Sequence, residues 1–320
     1  MARGRTRRGP VSGIVVRVIE IQELTKRYGG KTAVDGLTVT VRPGHVTGFL
    51  GPNGAGKSTT LRMIIGLNRP TGGSVTVQGR PHASNPRGLW YVGALLDASE
   101  VHGGRSASGH LRALARSNDI PRARVAEVLA QVGLADAANR RIGGFSLGMK
   151  QRLGIAAALL GDPQVLLFDE PFNGLDPEGV RWVRGLFRQL AAEGRTVFVS
   201  SHLMSEMQHT ADHLVVIGRG RLIADESLSD FAARSVRPTV SVATPDAVRF
   251  AEILREQGVR VQSTGVQTLE VADLAAARVG ELAFTHRVQL HELTTHATSL
   301  EEAFMDLTAD SVEYLAGDPR

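Results

Sequence analysis

Residues 51–58 read GPNGAGKS and fit the pattern G-x-x-x-x-G-K-[S/T] at every fixed position. The sequence predicts an apolar strand before it and a helix after it. Glycines let successive backbone N–H groups point inward around phosphate oxygens, and the positive end of the following helix strengthens that field. Lys57 can reach the β- and γ-phosphates, and the hydroxyl of Ser58 can bind Mg²⁺. The predicted nucleotide-binding residues of this stretch are Gly51, Pro52, Asn53, Gly54, Ala55, Gly56, Lys57, Ser58 and Thr59.

A second motif, VLLFDE at residues 165–170, supplies the acids that nucleotide hydrolysis needs. Its apolar run predicts a buried strand that carries Asp169 to the carboxyl edge of a parallel sheet, where ligands bind in such folds. Asp169 can hold Mg²⁺ directly or through water, and Glu170 can orient and deprotonate an attacking water. Paired acids after a strand are common, so this pair indicates nucleotide hydrolysis only in combination with the phosphate loop.

The rest of the chain predicts an α/β core with additions. Further apolar runs at residues 196–200 and 214–217, with helical stretches between the runs, favour a parallel sheet. Segments rich in Ala and Leu at residues 121–133 and 148–160 predict a helical subdomain inserted between two strands of that sheet.

The character of the sequence changes near residue 236, and a small separate α+β domain is predicted after it. Its last helix opens with Ser299-Leu300-Glu301-Glu302, a capping box in which Ser and Glu each accept a backbone N–H. We expect three regions: a basic flexible extension over 1–17, a nucleotide-binding domain over 18–235 and an accessory domain over 236–320.

Composition excludes several classes of protein. The 320 residues are 42% hydrophobic and include no Cys, which rules out a disulfide scaffold, thiol catalysis and Cys-based zinc sites. Five arginines precede the first acid, Glu20, and account for the whole net charge of +5, so no basic face for a nucleic acid is expected. The longest strongly apolar stretch without a charge, residues 153–161, is too short to cross a bilayer.

Several motifs in a fixed order resemble the nucleotide-binding subunit of ATP-binding cassette (ABC) transporters over residues 18–230. The segment FSLGMKQR at residues 145–152 resembles the ABC signature, usually written LSGGQ. Gly174-Leu175-Asp176 resembles the D-loop, and Ser200-Ser201-His202 resembles the switch histidine that follows a strand. Tyr28 resembles the aromatic residue that stacks on adenine. The fold implied is a P-loop NTPase of the ABC-ATPase type.

The resemblance implies roles for residues outside the two nucleotide motifs. Ser146 and Gly148 would bind the γ-phosphate of an ATP held by a second cassette, and Asp176 would lie at the same interface. His202 would contact the γ-phosphate and hold the attacking water. Two cassettes, expected to be identical chains, would thus enclose two ATP molecules with Mg²⁺.

The resemblance also implies a membrane partner. A separate multi-span permease would hold the cassette at the cytoplasmic face of a bacterial membrane, with residues 99–118 receiving a short permease helix. The C-terminal sequence SLEEAF at residues 299–304 resembles a terminal segment of ABC-2-type exporters of drugs and antibiotics. We therefore expect export of a drug, an antibiotic or another small amphiphile.

Two positions depart from the family pattern. Asp97 stands where a Gln normally contacts Mg²⁺ and signals to the membrane partner, and we expect it to keep the metal-sensing role. Leu147 replaces the first signature glycine, while Ser146 and Gly148 remain. These departures leave open a regulatory module that binds nucleotide but hydrolyses it weakly. A soluble ABC ATPase outside transport is a second alternative, which does not depend on them.

Overall fold

The computed structural model describes residues 18–235, 238–297 and 299–309, so the predicted basic extension at 1–17 lies outside the described residues. The chain forms two compact units. The first unit contains the described residues up to His202 together with Thr210–Asp225. The second unit contains Leu203–His209 and the described residues from Glu226 onward. None of the described helices is long and apolar enough to cross a membrane.

The elements of the first half of the chain are β1 (Ile19–Tyr28), β2 (Lys31–Val41), β3 (Val46–Leu50), α1 (Lys57–Ile64), β4 (Gly72–Val77), β5 (Val92–Leu95), α2 (Ala107–Ser117), α3 (Ala123–Gln131), α4 (Leu147–Leu159), β6 (Val165–Asp169) and α5 (Pro177–Ala192). Those of the second half are β7 (Thr196–Ser201), α6 (Met204–Met207), β8 (His213–Gly218), β9 (Arg221–Ser227), α7 (Leu228–Ser235), β10 (Pro238–Ala243), α8 (Ala247–Glu256), β11 (Arg260–Ser263), β12 (Thr268–Ala272), α9 (Ala276–Thr285), β13 (Glu292–Ala297) and α10 (Leu300–Thr308).

A six-stranded sheet with the order β5-β6-β7-β3-β8-β9 forms the centre of the first unit. Strands β5, β6, β7, β3 and β8 run parallel to one another. Every residue of β3, β6 and β7 is buried, which explains why these strands read as continuous apolar runs. The α/β fold predicted from the runs is confirmed, and the carboxyl ends of the parallel strands meet along one edge.

Two further parts complete the first unit. A separate antiparallel sheet has the order β2-β1-β4, and β1 pairs with both of its neighbours. The helical segment contains α3 and α4, close to their predicted positions, and also α2, which the sequence did not predict. Helix α2 begins after Ser106, whose side chain accepts a hydrogen bond from the Gly109 N–H at 3.1 Å.

The second unit contains a β-α-β-β-α-β arrangement, formed by β10, α8, β11, β12, α9 and β13. Its four strands are antiparallel in the order β11-β12-β10-β13. Alternate residues of the central strands, such as Val240 and Val242, join Phe250 and Leu254 of α8 in a hydrophobic core. Helix α10 carries the predicted capping box: the Ser299 side chain accepts the Glu302 N–H, and the Glu302 carboxylate accepts the Ser299 N–H.

Replacing Phe250 with alanine should lower the free energy of unfolding by about 3–5 kcal/mol, because the truncation leaves a cavity in the core of the second unit. Urea denaturation of the full chain, followed by circular dichroism, measures the loss. Val248→Ala is the matched control, since Val248 lies on the same helix and is 74% exposed. Equal losses for the two variants would contradict the packing described for α8.

Candidate phosphate-binding and catalytic site

The phosphate loop connects β3 to α1 and depends on its glycines. Gly54 and Gly56 have φ angles of 82° and 104°, a backbone region that residues with a Cβ seldom adopt. A Cβ on Gly56 would collide with the Ala33 carbonyl oxygen, and one on Gly51 would collide with that of Ile217. The neighbouring strands therefore leave space only for glycine, and the loop backbone lies directly against them.

Lys57 lies in the first turn of α1, and its ammonium group points back into the loop. Its Nζ donates to the carbonyl oxygens of Gly51 at 2.7 Å and Pro52 at 3.3 Å. Only 7% of the residue is exposed, and this burial lowers the pKa of the ammonium, an effect that the charges of Glu170 and Asp169 oppose. The lysine is thus a buried cation held by loop carbonyls and by nearby carboxylates.

The loop residues after Lys57 differ in exposure. Ser58 is exposed and Thr59 is partly exposed, so both hydroxyls are open to a ligand. Thr60 is buried, and its hydroxyl donates to the Gly56 carbonyl at 2.9 Å. Helix α1 has no side-chain cap at its start, which leaves its first N–H groups available to an anion.

Asp169 ends β6 and is held by Ser200 of the adjacent strand β7. The Ser200 hydroxyl donates a short hydrogen bond to Oδ1 of Asp169, and both residues are buried. The same hydroxyl oxygen accepts the backbone N–H of Glu170 at 3.0 Å. Ser200 therefore fixes both acids, a role that the sequence analysis missed. The only feature of the sequence that could have indicated this role is a serine near the end of an otherwise apolar strand.

Glu170 has a left-handed backbone, with φ of 48°, and neighbouring side chains hold it there. Ser200 accepts its N–H, and the side-chain amide of Gln151 donates to its carbonyl at 3.0 Å. Gln151 belongs to α4 and is 4% exposed. The sequence contained this residue within the signature segment but did not indicate its contact with Glu170, because the contact depends on how α4 packs.

The Glu170 carboxylate joins two other predicted catalytic residues. Its Oε1 lies 3.5 Å from Lys57 Nζ, and its Oε2 lies 2.9 Å from His202 Nδ1. An ionised carboxylate only accepts hydrogen bonds, so Nδ1 carries the proton and Nε2 of a neutral ring is the unprotonated nitrogen. Lys57, Glu170 and His202 thus form one connected group at the carboxyl edge of β3, β6 and β7.

The site offers oxygen ligands of the kind that Mg²⁺ prefers. Asp169 supplies a carboxylate that is 8% exposed, and Ser58 supplies an exposed hydroxyl. Asp97 follows β5, the strand next to β6, and is exposed. The hydroxyl and N–H of Ser99 donate to its Oδ1 at 2.6 and 2.7 Å and, aided by the positive charge of Arg62, lower the pKa of this carboxyl. Asp97 is therefore an ionised ligand candidate at the same edge.

The signature and D-loop residues form a second group. Ser146 caps α4 by accepting the Met149 N–H at 3.2 Å, and Asp176 caps α5 by accepting the Gly179 N–H at 2.8 Å. The side chain of Leu147 lies against Gly174, so the two segments touch. Within the described part of the chain, Ser146, Gly148 and Asp176 form no hydrogen bond or ion pair with the phosphate loop of their own chain.

Tyr28 ends β1 and is 49% exposed. Its hydroxyl accepts a hydrogen bond from the Asn68 side chain at 2.8 Å, and Lys26 Nζ lies 4.9 Å from the ring centroid. These contacts fix the ring while leaving much of it open. Stacking on adenine remains a prediction for this residue.

Comparison with known proteins identifies the family. A family model described as ABC transporter matches residues 34–173, and one described as a domain of unknown function (DUF8746) matches residues 238–301. The chain is 35% identical to the bacitracin transport ATP-binding protein BcrA of Bacillus licheniformis, over 91% of this chain and 97% of that protein. It is also 35% identical to the daunorubicin/doxorubicin resistance ATP-binding protein DrrA of Streptomyces peucetius, over 91% and 92%.

A solved structure described as the ATP-binding subunit of an ABC transporter has the same fold. It superposes with a TM-score of 0.62 at 27% identity and covers 68% of this chain and 92% of that one. In this chain the phosphate loop, the Asp-Glu pair and His202 meet at the carboxyl edge of the central sheet. The chain therefore belongs to the ATP-binding proteins of ABC transporters, a family of cassette ATPases.

Proposed function

We propose that this chain hydrolyses ATP to power the export of a drug, an antibiotic or a similar small amphiphile through a separate multi-span permease. The relatives named for bacitracin transport and for daunorubicin/doxorubicin resistance support this cargo class, since each matches over 91% of this chain. Both come from bacteria, which supports a place at the cytoplasmic face of a bacterial membrane. The observation that carries the enzymatic part is the Glu170 carboxylate between Lys57 and His202.

Phosphate binding uses groups that are already in position. The free N–H groups at the start of α1 and the loop backbone surround the β- and γ-phosphates of ATP. The Lys57 ammonium, now shared by two loop carbonyls, turns toward the phosphate oxygens when they arrive. Since this cation is already largely desolvated, its attraction to phosphate is stronger than it would be in water. Tyr28 stacks against the adenine.

Hydrolysis then needs a base for the attacking water and a group that orients this base. Glu170 accepts a proton from the attacking water, which forms a bond to the γ-phosphorus as the bond to the ADP oxygen breaks. His202 donates through Nδ1 to the Glu170 carboxylate, and its ring faces the same edge. The hydrogen bonds from the Glu170 N–H to Ser200 and from Gln151 to the Glu170 carbonyl keep its carboxylate in place. The side chain therefore moves little during the proton transfer.

The residues that would hold Mg²⁺ are Ser58, Asp169 and Asp97. When bound with ATP, the ion neutralises charge that develops on the phosphate oxygens. Ser200 holds one Asp169 oxygen and thereby aims the other, while Ser99 keeps Asp97 ionised and oriented. In this arrangement Asp97 takes the place of the family's Gln.

We further propose that two copies of the chain form the active dimer with ATP at the interface. Ser146 and Gly148 lie at the N-terminal end of α4, where free N–H groups and a hydroxyl favour an anion. In this proposal the phosphate that they bind belongs to an ATP held by the second copy, as the resemblance to the family implies. Asp176, at the start of α5, lies on the segment that touches Leu147.

The two alternatives receive less support. A soluble ABC ATPase outside transport would not explain why the relatives named for bacitracin transport and for daunorubicin/doxorubicin resistance each match over 91% of this chain. A regulatory module with weak hydrolysis would not need Lys57, Glu170 and His202 joined in one group. Leu147 leaves the Ser146 hydroxyl and the helix N–H groups in place.

Glu170→Gln should abolish multiple-turnover phosphate release while ATP binding persists, because the amide cannot accept the proton from water. Phosphate release with excess ATP and equilibrium nucleotide binding measure the two properties. We expect turnover to fall by at least about 100-fold, the usual contribution of a general base. Glu252→Gln, an exposed residue of α8, is the control with the same chemical change. Turnover at the wild-type rate in Glu170→Gln would contradict the assignment.

Asp97→Ala should impair Mg²⁺-dependent turnover much more than ATP binding. We expect the Mg²⁺ concentration for half-maximal turnover to rise about tenfold, as is usual when a metal-orienting group is lost. Titration of Mg²⁺ at saturating ATP measures this value, and removal of Mg²⁺ with EDTA gives the baseline. Asp136→Ala, another exposed aspartate, is the control. An unchanged Mg²⁺ dependence would eliminate Asp97 as a metal sensor.

Affinity purification from detergent-solubilised native membranes, with and without ATP, tests the membrane partner. We expect a multi-span membrane protein to co-purify and to change the ATPase rate of the chain. The Glu170→Gln variant serves as a second bait, because blocked hydrolysis preserves the ATP-bound assembly. Recovery of soluble partners alone, with the membrane fraction intact, would favour the soluble ATPase and remove the basis for export.

A further inference from the structure

The aromatic ring of Tyr28 lies at the end of a hairpin in the first unit. Tyr28 is the last residue of β1, and two glycines, Gly29 and Gly30, separate it from the first residue of β2, Lys31. Glycines allow a turn many backbone conformations, and the Tyr28 residue is 49% exposed. The hairpin alone therefore does not determine the orientation of the ring.

The connection between α1 and β4 supplies contacts that do. The side-chain amide of Asn68 donates to the Tyr28 hydroxyl at 2.8 Å. The Arg69 carbonyl accepts a hydrogen bond from Lys26 Nζ at 2.7 Å. The same ammonium group lies over one face of the Tyr28 ring, 4.9 Å from its centroid. The opposite face is therefore the one that a stacking base can reach.

Asn68 is itself fixed by the end of helix α1. Gly66 has a left-handed backbone, with φ of 76°, just after the helix. The N–H groups of Leu67 and Asn68 both donate to the Arg62 carbonyl, at 2.8 and 3.2 Å. This arrangement ends a helix in a defined geometry. The helix whose first turn carries Lys57 therefore also sets the position of Asn68 at its other end.

A further contact holds this connection against β1. The Thr71 hydroxyl accepts the Arg27 N–H at 3.1 Å, and the Thr71 N–H donates to the Thr25 carbonyl at 2.8 Å. Each of residues 25–28 is thus hydrogen-bonded to a residue between 68 and 71. All of these residues belong to the first unit. The orientation of the Tyr28 ring is therefore set within the unit that carries the phosphate loop.

We propose that Asn68 is a positioning residue for the nucleotide base, acting through the Tyr28 hydroxyl. Its hydrogen bond holds the ring in the orientation that stacking requires, so less side-chain freedom is lost when the nucleotide binds. Asn68 contacts neither the base nor the phosphates, and its effect falls on nucleotide affinity rather than on the chemical step. This inference rests on the stacking of Tyr28 on adenine, which is part of the proposed function.

The test compares Asn68→Ala with the matched control Asn85→Ala in the full chain. Asn85 is also half-buried, and its side chain forms no hydrogen bond with any described residue. We expect Asn68→Ala to weaken ADP binding about fivefold, the size expected for one lost hydrogen bond, and Asn85→Ala to match the wild type. Calorimetric titration of ADP with Mg²⁺ measures the affinity.

Two further measurements distinguish positioning of the base from damage to the phosphate loop. In Asn68→Ala the KM for ATP should rise by the same factor as the ADP dissociation constant, while kcat changes less than about twofold, because no reacting group is lost. Inorganic tripolyphosphate has no base, so its inhibition constant against ATP hydrolysis should be the same in the variant and the wild type.

A double-mutant cycle with Tyr28→Phe, which removes the hydroxyl and keeps the ring, tests the route. Tyr28→Phe alone should reproduce the loss of ADP affinity, and adding Asn68→Ala should cause no further loss. Unchanged ADP affinity in Asn68→Ala, an equal loss for tripolyphosphate, or a further loss in the Tyr28→Phe background would overturn the inference. If Tyr28→Ala left ADP affinity unchanged, the stacking assignment of Tyr28 would fail instead.

Discussion

The Glu170 carboxylate joins the lysine of the phosphate loop to His202 at the edge of the central sheet. Glu170 comes directly after a fully buried strand, and its own backbone is left-handed. Ser200 accepts its N–H, and the Gln151 side chain donates to its carbonyl. Its two oxygens then face Lys57 and His202. A left-handed backbone at a residue other than glycine persists only where the surrounding structure holds it, and the hydrogen bonds from Ser200 and Gln151 provide that restraint at Glu170.

The sheet order makes this arrangement possible. Strands β6, β7 and β3 are adjacent and parallel, so the two acids, His202 and the phosphate loop follow neighbouring strand ends. Because all three strands are buried on both faces, their ends cannot shift without disrupting the core. Apolar side chains pack along the whole length of the sheet. This packing therefore brings the polar atoms at its edge within hydrogen-bond distance of one another.

Local sequence predicted the parts of the site that follow from local chemistry. The loop could be recognised because only glycines fit its backbone, and the strand before Asp169 because it is uniformly apolar. Ser200 and Gln151 escaped prediction because each acts on a residue 19 to 31 positions away, across strands or from a helix. The sequence predicted a helical stretch at residues 204–212, of which the structure has Met204–Met207 as α6, but it did not indicate that Leu203–His209 belongs to the second unit.

The two departures from the family pattern lie where side chains are exposed. Leu147 is 50% exposed at the first position of α4, and an anion there would bind backbone N–H groups and the Ser146 hydroxyl, none of which a leucine side chain removes. Leu147 instead covers Gly174 and so joins the signature to the D-loop. Asp97 presents a carboxylate, whose oxygens Ser99 holds, where the family has an amide. Both departures from the family pattern are therefore at exposed side chains, whereas Lys57 and Asp169 are buried.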